Sequence, residues 1–531
     1  MVVAYRKKKE IDASGKKREV IEKIYLVPEF LKPTGLTDEM RNNRHAMRDL
    51  ATNTQLYPEQ RWKKHQYFAN QLKNTKKVNA LDINIETKSN WINDALIYKP
   101  PKITTRNEIT PEPSGVFKVD QILGRNANIN RWGIIYEEGD LESAQDFAIA
   151  MLKSSIRLDI MLSKPTFLPV TQSHRNYNRR GRGPSLQEQV MNEIEDNFKL
   201  DIFLLFFQKR TAKRIYQKVK TECNSRLGKH TQFFTNWRPK DTRSLNNLCI
   251  ASNILIQMVV KLGQPLWRVQ QPYNLNNNGR MTMVVGGDVF HMNSRDSVAS
   301  IVSTLNKDFT EFYCTNSFQK RRGDDILHAV ADQVADCAKK YGSVNGYAPD
   351  LIVFFRHGIG MGSFDKVREV EIQALLHKLE SLKSKSGTRP KLAYIVVNKK
   401  INDRFFVEGY NKKIKRRGLI NPNGGLIIHS KVVNNEGFDY FMVAQNVNRG
   451  TATPVHFEVL YNDTGLAADS FYELTYYQTF NYYNWSGPVK VPAVVQYASK
   501  QAYLVGSTSQ RNMDRGNDQD REAMRKTLYF L

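Results

Sequence analysis

Five residues in the middle of the chain have the types and spacing of an anion pocket. Tyr216 and Lys220 are four apart, so on a helix they share one face. Gln257 and Lys261 repeat that spacing on a later helical stretch, and Gln232 lies between them at the end of a short strand. Two ammonium groups, two amides and an aromatic ring suit a terminal phosphate with a base stacked beside it. Such a stack contributes about 1–3 kcal/mol and tolerates any base. On spacing alone, a Tyr and a Lys four apart more often mark a solvated helix face.

A second group consists of carboxylates and imidazoles at strand ends. Asp288 closes the apolar run Val284-Val285-Gly286-Gly287, a position from which a carboxylate can offer a hard oxygen to magnesium. Asp324 and Asp325 open a helical stretch, the strand Leu351–Phe355 ends in Arg356-His357-Gly358, and His456 lies in Pro454-Val455-His456-Phe457. Two-metal hydrolysis of a nucleic acid needs several carboxylates converging at strand ends. Taken singly, Asp288 reads more readily as a turn or cap residue and His456 as a satisfied sheet residue.

The surrounding elements have an α/β pattern. Residues 37–75 read as helical, and a Pro-rich extended stretch follows from Lys99 to Pro113. From about residue 118, strands at Arg131–Tyr136, Arg157–Leu162 and Asp201–Phe207 alternate with helices at Glu142–Lys153, Leu186–Asn197, Ala212–Cys223 and Ser244–Lys261. Alternation of this kind predicts a parallel sheet with helices on both faces. A second α/β unit begins with MTMVVGGDVF and contains YAPDLIVFFRHG and KLAYIVVNKK around a helix.

Composition sets the partner class. Seventy-nine Lys and Arg against 53 Asp and Glu give a formal charge of +26, an electrostatic footprint for a polyanion. The four cysteines, Cys223, Cys249, Cys314 and Cys337, form no C-x-x-C pair, which argues against a zinc ribbon and fits a reducing, intracellular compartment. No run reaches about 18 apolar residues, and MVVAYRKKKEID lacks the apolar centre of a leader. The Arg/Gly-rich loop 175–183 reads as a solvated loop, and Lys412-Lys413-Ile414-Lys415-Arg416-Arg417 could serve nuclear import or line a nucleic-acid channel.

Longer blocks narrow the reading. LVPEFLKPTGLTDEMRNNRHAMRDLATNTQLYPEQR, KLAYIVVNKKINDRFF, QNVNRGTATPVHFEVLYND, YYNWSGPVKVPAVVQYASKQAYLVG and the terminal TLYFL occur in family order over residues 25–531. In these blocks the chain resembles the Piwi clade of the Argonaute family. The resemblance implies a remnant of the end of a PAZ domain at 1–24, a second linker at 25–117, a Rossmann-like MID domain at 118–275 and an RNase-H-like PIWI domain at 276–531. It implies that Tyr216 stacks on the first guide base while Lys220, Gln232, Gln257 and Lys261 surround the guide 5′ phosphate. Gln257, where non-Piwi members tend to carry lysine, goes with a magnesium ion shared with the Leu531 carboxylate. The cutting tetrad of the family maps onto Asp288, Asp325 (Asp324 next), His357 and His456, with Asp288 the remnant of the catalytic metal site. His357 replaces a carboxylate. Magnesium prefers oxygen ligands, and a neutral ring removes charge that two dications need, so cutting is expected to be lost or severely reduced. The implied function is a guide small-RNA-binding protein of RNA silencing or processing, with complementary target RNA as partner. The alternatives are an active RNA-guided endoribonuclease with a modified metal site, and a scaffold that recruits another nuclease or processing factor.

Overall fold

The computed structural model describes residues 2–11, 17–26, 35–123, 127–171, 184–235, 245–272, 275, 279–292, 296–319, 324–411, 415–434, 437–508 and 518–531. The loop 175–183 and the first three residues of the basic run at 412–417 lie outside that set. The leading stretch, which offers little core material in sequence, pairs as two antiparallel strands, Val2–Ile11 (β1) and Lys17–Leu26 (β2). The expected helical region is a short turn of helix followed by Arg44–Thr54 (α1) and Pro58–Lys73 (α2). Pro58 takes the first helical position, where its missing N–H costs nothing. A two-residue strand, Leu96–Ile97 (β3), leaves this region to join a distant sheet.

The first α/β unit is built from Trp132–Glu137 (β4), Leu141–Leu158 (α3), Thr166–Val170 (β5), Leu186–Asp196 (α4), Ile202–Phe206 (β6), Lys209–Glu222 (α5), His230–Phe234 (β7) and Leu245–Lys261 (α6). Its four strands run parallel in the order β7-β6-β4-β5. All five residues of β6 are buried, as expected for a central parallel strand covered on both faces. The structure corrects one element. Residues 157 and 158 finish α3 instead of starting a strand, and only Met161–Leu162 is extended. Met151, Ser154, Ser155 and Leu158 are buried at helical spacing, and Asp159 closes the helix at φ 56°. Helical burial outweighs the local β pattern there.

The second unit comprises Thr282–His291 (β8), Ser297–Thr304 (β9), Phe312–Gln319 (β10), Val330–Asn345 (α7), Leu351–His357 (β11), Gln373–Leu379 (α8), Lys391–Asn398 (β12), Leu426–Ile428 (β13), Phe438–Val443 (β14), Val455–Asn462 (β15), Ala468–Gln478 (α9), Ala493–Ser507 (α10) and Asp518–Arg525 (α11). With β3 they form a nine-stranded sheet in the order β10-β9-β8-β11-β12-β15-β14-β13-β3. β8, β11 and β12 are parallel at its centre, and their neighbours are antiparallel. One face packs on α10 and shares a continuous core with the first unit; α7 and α8 cover the other. A methyl group at Gly286 would run into the Val494 backbone, so glycine in β8 is what lets α10 lie this close.

Candidate nucleic-acid interface

The first site lies where α5, β7 and α6 meet. Lys220 and Lys261 are buried, and both ammonium groups donate to one carbonyl, that of Thr231, at 2.8 and 3.1 Å. Lys261 also donates to Gln232 Oε1 at 2.7 Å, and Gln232 Nε2 donates to Gln257 Oε1 at 2.9 Å. The four polar residues named from sequence thus form one connected set. Tyr216, one turn before Lys220, packs its ring against Phe233 at 4.9 Å yet keeps 37% of its surface exposed, so part of it stays open for stacking.

Like charges held together out of water are the electrostatic signature of this pocket. Burial pushes the Lys220 ammonium down to about 8. Burial and then the Lys220 charge drive Lys261 well below its usual range. His230, at the start of β7, is pushed down to about 3 by burial and by Lys261, Lys220 and Lys229, and so stays neutral. An anion in the pocket would relieve this repulsion. The terminal segment passes the end of α6, where Lys526, Thr527 and Leu528 line a small cleft with Val260 and Gly263; Leu528, Tyr529 and Phe530 are buried in the core shared by the two units, with Leu531 packed against that core.

The second site lies at the carboxyl ends of β8 and β11. Gly287 pairs with Arg356 in the parallel register, so Asp288 and His357 emerge side by side. Asp288 Oδ1 lies 3.0 Å from His357 Nδ1 and accepts the Val289 N–H at 2.9 Å, while Oδ2 accepts a short hydrogen bond from Ser499 of α10. Burial pushes the Asp288 carboxyl up, but His357, Ser499 and the Arg356 charge outweigh it and hold the group below its ordinary value. Lys399, one residue past β12, is driven down by burial and lies close enough to Asp288 to be pulled back by its charge.

Asp325 does not join this pair. Its carboxylate bonds to His291 Nε2 at 2.7 Å, and the opposite ring nitrogen of His291 bonds to Ser297 Oγ at 2.8 Å. Neighbouring Asp324 is tied to His328 at 2.8 Å. Burial raises the Asp324 carboxyl, but bonds from His328 and Ile326 and the Lys366 charge bring it down to about 2. Behind both loops, Arg356 and Glu371 form a fully buried ion pair at 3.2 Å. The Arg356 guanidinium also donates to the carbonyls of His357 and Asp325, and Tyr394 donates to Glu371.

The structure does not bring His456 to Asp288. Side chains alternate along a strand. Phe457 faces the same core as Phe355 and Val397, the face on which Asp288 and His357 lie, so His456 faces the opposite side of the sheet. There it bonds to buried Asp439 at 2.6 Å and stacks on Phe441 at 4.2 Å. The residue that sequence reasoning missed is Ser499. Val495, Ala498 and Ala502 mark the buried face of α10 around it, but nothing local places that face against β8. Among the described residues, no group of three or more His, Cys, Asp or Glu side chains converges to hold a metal.

The two sites are joined. Thr221 of α5 donates to the carbonyl of Thr508, just past α10, at 2.8 Å. On α10, Tyr503 is 58% exposed and meets Phe290 edge-on at 5.3 Å. An open Rossmann-like sheet with buried cations beside its strands, fused to an RNase-H-like sheet with an acidic residue at the end of its central strand, defines an Argonaute-type architecture. The Piwi domain family matches residues 202–510, and the chain belongs to that family. The chain is 29% identical over 495 residues to Piwi-like protein Ago3 of Bombyx mori, covering 91% of this chain and 50% of that protein. It is 26% identical over 530 residues to protein piwi of Drosophila melanogaster, covering 97% and 58%. The crystal structure of Drosophila Piwi superposes with a TM-score of 0.74 at 23% identity, over 92% of this chain and 64% of that one. Kluyveromyces polysporus Argonaute with a guide RNA gives 0.68 at 17% identity, over 82% and 56%. The chain spans about half the length of the curated relatives it matches. No helix among the described residues is long and apolar enough to cross a membrane.

Proposed function

We propose that this chain is a guide-holding protein of RNA silencing or processing, which binds the 5′ phosphate of a single-stranded small RNA and pairs it with complementary RNA without cutting. The observation that carries this reading is the convergence of the Lys220 and Lys261 ammonium groups on the Thr231 carbonyl, both desolvated and close enough to repel. A phosphate adds negative charge where the two ammonium groups converge, and charge-assisted hydrogen bonds are the stronger kind. Structures of the same fold have been solved with guide strands, Kluyveromyces polysporus Argonaute with a guide RNA and Clostridium butyricum Argonaute with a guide DNA and a 19-mer target DNA, which supports a guide nucleic acid as the ligand. Tyr216 offers a ring to the first base. The guide–target duplex would be read by its shape and backbone.

In this reading a magnesium ion at the phosphate would be held by the Gln257 amide oxygen, a hard neutral donor that in this structure accepts from Gln232 and would turn to the ion. The ion would neutralise the phosphate charge that the lysines leave. A catalytic magnesium pair does not fit the other site. Asp288 is its one carboxylate, already bonded by His357, Ser499 and Val289, while Asp325 is engaged by His291. The division into a PAZ remnant, linker, MID and PIWI regions near residues 24, 117 and 275 accompanies this reading.

The test is binding of one RNA with a 5′ phosphate and with a 5′ hydroxyl, by fluorescence anisotropy at fixed salt. The phosphate form binds at least about tenfold tighter, the equivalent of one charge-assisted contact. Equal affinities would sink the proposal.

A further inference from the structure

The parallel strands β8, β11 and β12 have a second end, away from Asp288 and His357, and an open cleft of about 490 Å³ lies there. Arg280 precedes β8, Lys391 begins β12, and Lys385 lies in the loop leading to it; all three line the cavity. We propose that this cavity is a binding site for a small phosphate-bearing ligand of nucleotide size.

Three observations support the assignment. First, the cations are not consumed by the fold. Nearby Arg389 is held by Asp463 at 2.6 Å and Glu380 at 3.0 Å. No such bridge to Arg280, Lys385 or Lys391 is formed among the described residues. Second, the one carboxylate in the wall, Asp350, already has work in the backbone: it accepts the Met281 N–H at 2.9 Å and faces Ser386 Oγ at 3.5 Å. Three cations against one engaged carboxylate leave the wall positive. Third, the loop is built as a turn. Ser384 N donates to the Thr388 carbonyl at 3.0 Å, Gly387 N donates to the Ser384 carbonyl at 3.0 Å, and Gly387 takes φ +77°. The hydroxyls of Ser386 and Thr388, 3.0 Å apart, are thereby fixed at the cavity wall as partners for phosphate oxygens.

Size and place favour a small ligand over a polymer. The volume lies within the range of small-molecule sites. Thr282 and Asp288 are six residues apart on β8, so the cavity lies about 20 Å from the Asp288 edge at strand spacing. It is therefore a site separate from the Asp288 edge, and its wall shares no residue with the Lys220–Lys261 pocket.

Calorimetric titration of the full chain with ATP, ADP, inorganic pyrophosphate and adenosine tests the assignment. Expected are saturable binding of the phosphate-bearing probes, none of adenosine, a loss of at least about tenfold in the Lys385→Ala/Lys391→Ala variant, and retention in Lys385→Arg/Lys391→Arg. Saturating the chain beforehand with a short 5′-phosphorylated RNA leaves the probes' binding unchanged, which separates this site from the guide pocket; this arm rests on the guide reading, while the Lys385/Lys391 variants do not. Probe binding that survives in the double alanine variant, and that the short 5′-phosphorylated RNA abolishes, would overturn the proposal. So would silence from every phosphate probe, or a double alanine variant that lowers affinity for a long RNA alone, which would assign the cavity to nucleic-acid backbone.

Discussion

Replacing Lys220 by methionine should make the protein more stable and a poorer RNA binder. The side chain is 4% exposed, and its ammonium is pushed from 10.5 to about 8 mainly by burial. A shift of that size corresponds to about 3 kcal/mol of cost for keeping the buried charge at pH 7. Methionine has nearly the same length and no charge. It forfeits the charged bond to the Thr231 carbonyl, a contribution of about 1.5 kcal/mol. The net expected gain is about 1.5 kcal/mol, or about 3–6 °C in the melting transition of a domain of about 150 residues. The same change removes a charged contact to phosphate, so preference for a 5′-phosphorylated over a 5′-hydroxyl RNA should fall by about 10–100-fold. Differential scanning calorimetry and anisotropy on the same preparations read both. A variant that melts lower and still discriminates the phosphate would refute the reasoning, because Lys220 would then be a structural donor and not a stored charge.

Further expectations follow from the same geometry. Because the folded-state value of Lys220 lies below the unfolded one, the unfolded chain binds more protons between about pH 8 and 10.5, so stability of the RNA-free protein rises with pH through that window. A bound phosphate restores the proton, and 5′-phosphate affinity should decline above about pH 8, with proton uptake visible as buffer-dependent heats in calorimetry. Glu371→Gln leaves Arg356 charged and fully buried and should destabilise by about 3–5 kcal/mol in chemical denaturation, whereas an exposed pair such as Lys102–Glu108 should be near neutral to the same treatment. A guide-matched target RNA incubated with magnesium should remain intact, with Asp288→Ala indistinguishable from the parent; cleavage at one site that Asp288→Ala abolishes would overturn the reading of the β8–β11 edge.

The cluster around Lys220 was partly legible because Tyr216, Lys220, Gln257 and Lys261 lie on helices, where a spacing of four sets a common face; that the two helices meet at Gln232 on β7 depends on the sheet between them. The strand-end site was only half legible. Adjacent parallel strands ending at Asp288 and His357 could be inferred from two apolar runs. His456 could not be assigned, because the alternation Val455-His456-Phe457 tells that the ring opposes its neighbours but not which face of the sheet looks toward Asp288. Ser499 was hidden for a related reason: its position depends on how closely α10 approaches β8, and that distance is set by Gly286, some two hundred residues earlier in the chain. The short strand in place of residues 157–162 failed differently, since the helical burial pattern continued through a segment with strand-forming residues.

The two-residue strand β3 has a consequence for how the sheet can be assembled. Leu96 and Ile97 pair with Ile427 and Leu426, across more than three hundred residues, and Tyr98 adds a bond to the Gly425 carbonyl at 2.9 Å. Without them β13 would present an unpaired row of amides and carbonyls, the kind of edge that recruits strands from other molecules. Contacts this remote in sequence form late, because loop closure must come first. The edge stays open until that closure, and the segment that covers it, with Leu96 and Tyr98 packed on the core and Ile97 exposed, keeps the sheet confined to one molecule.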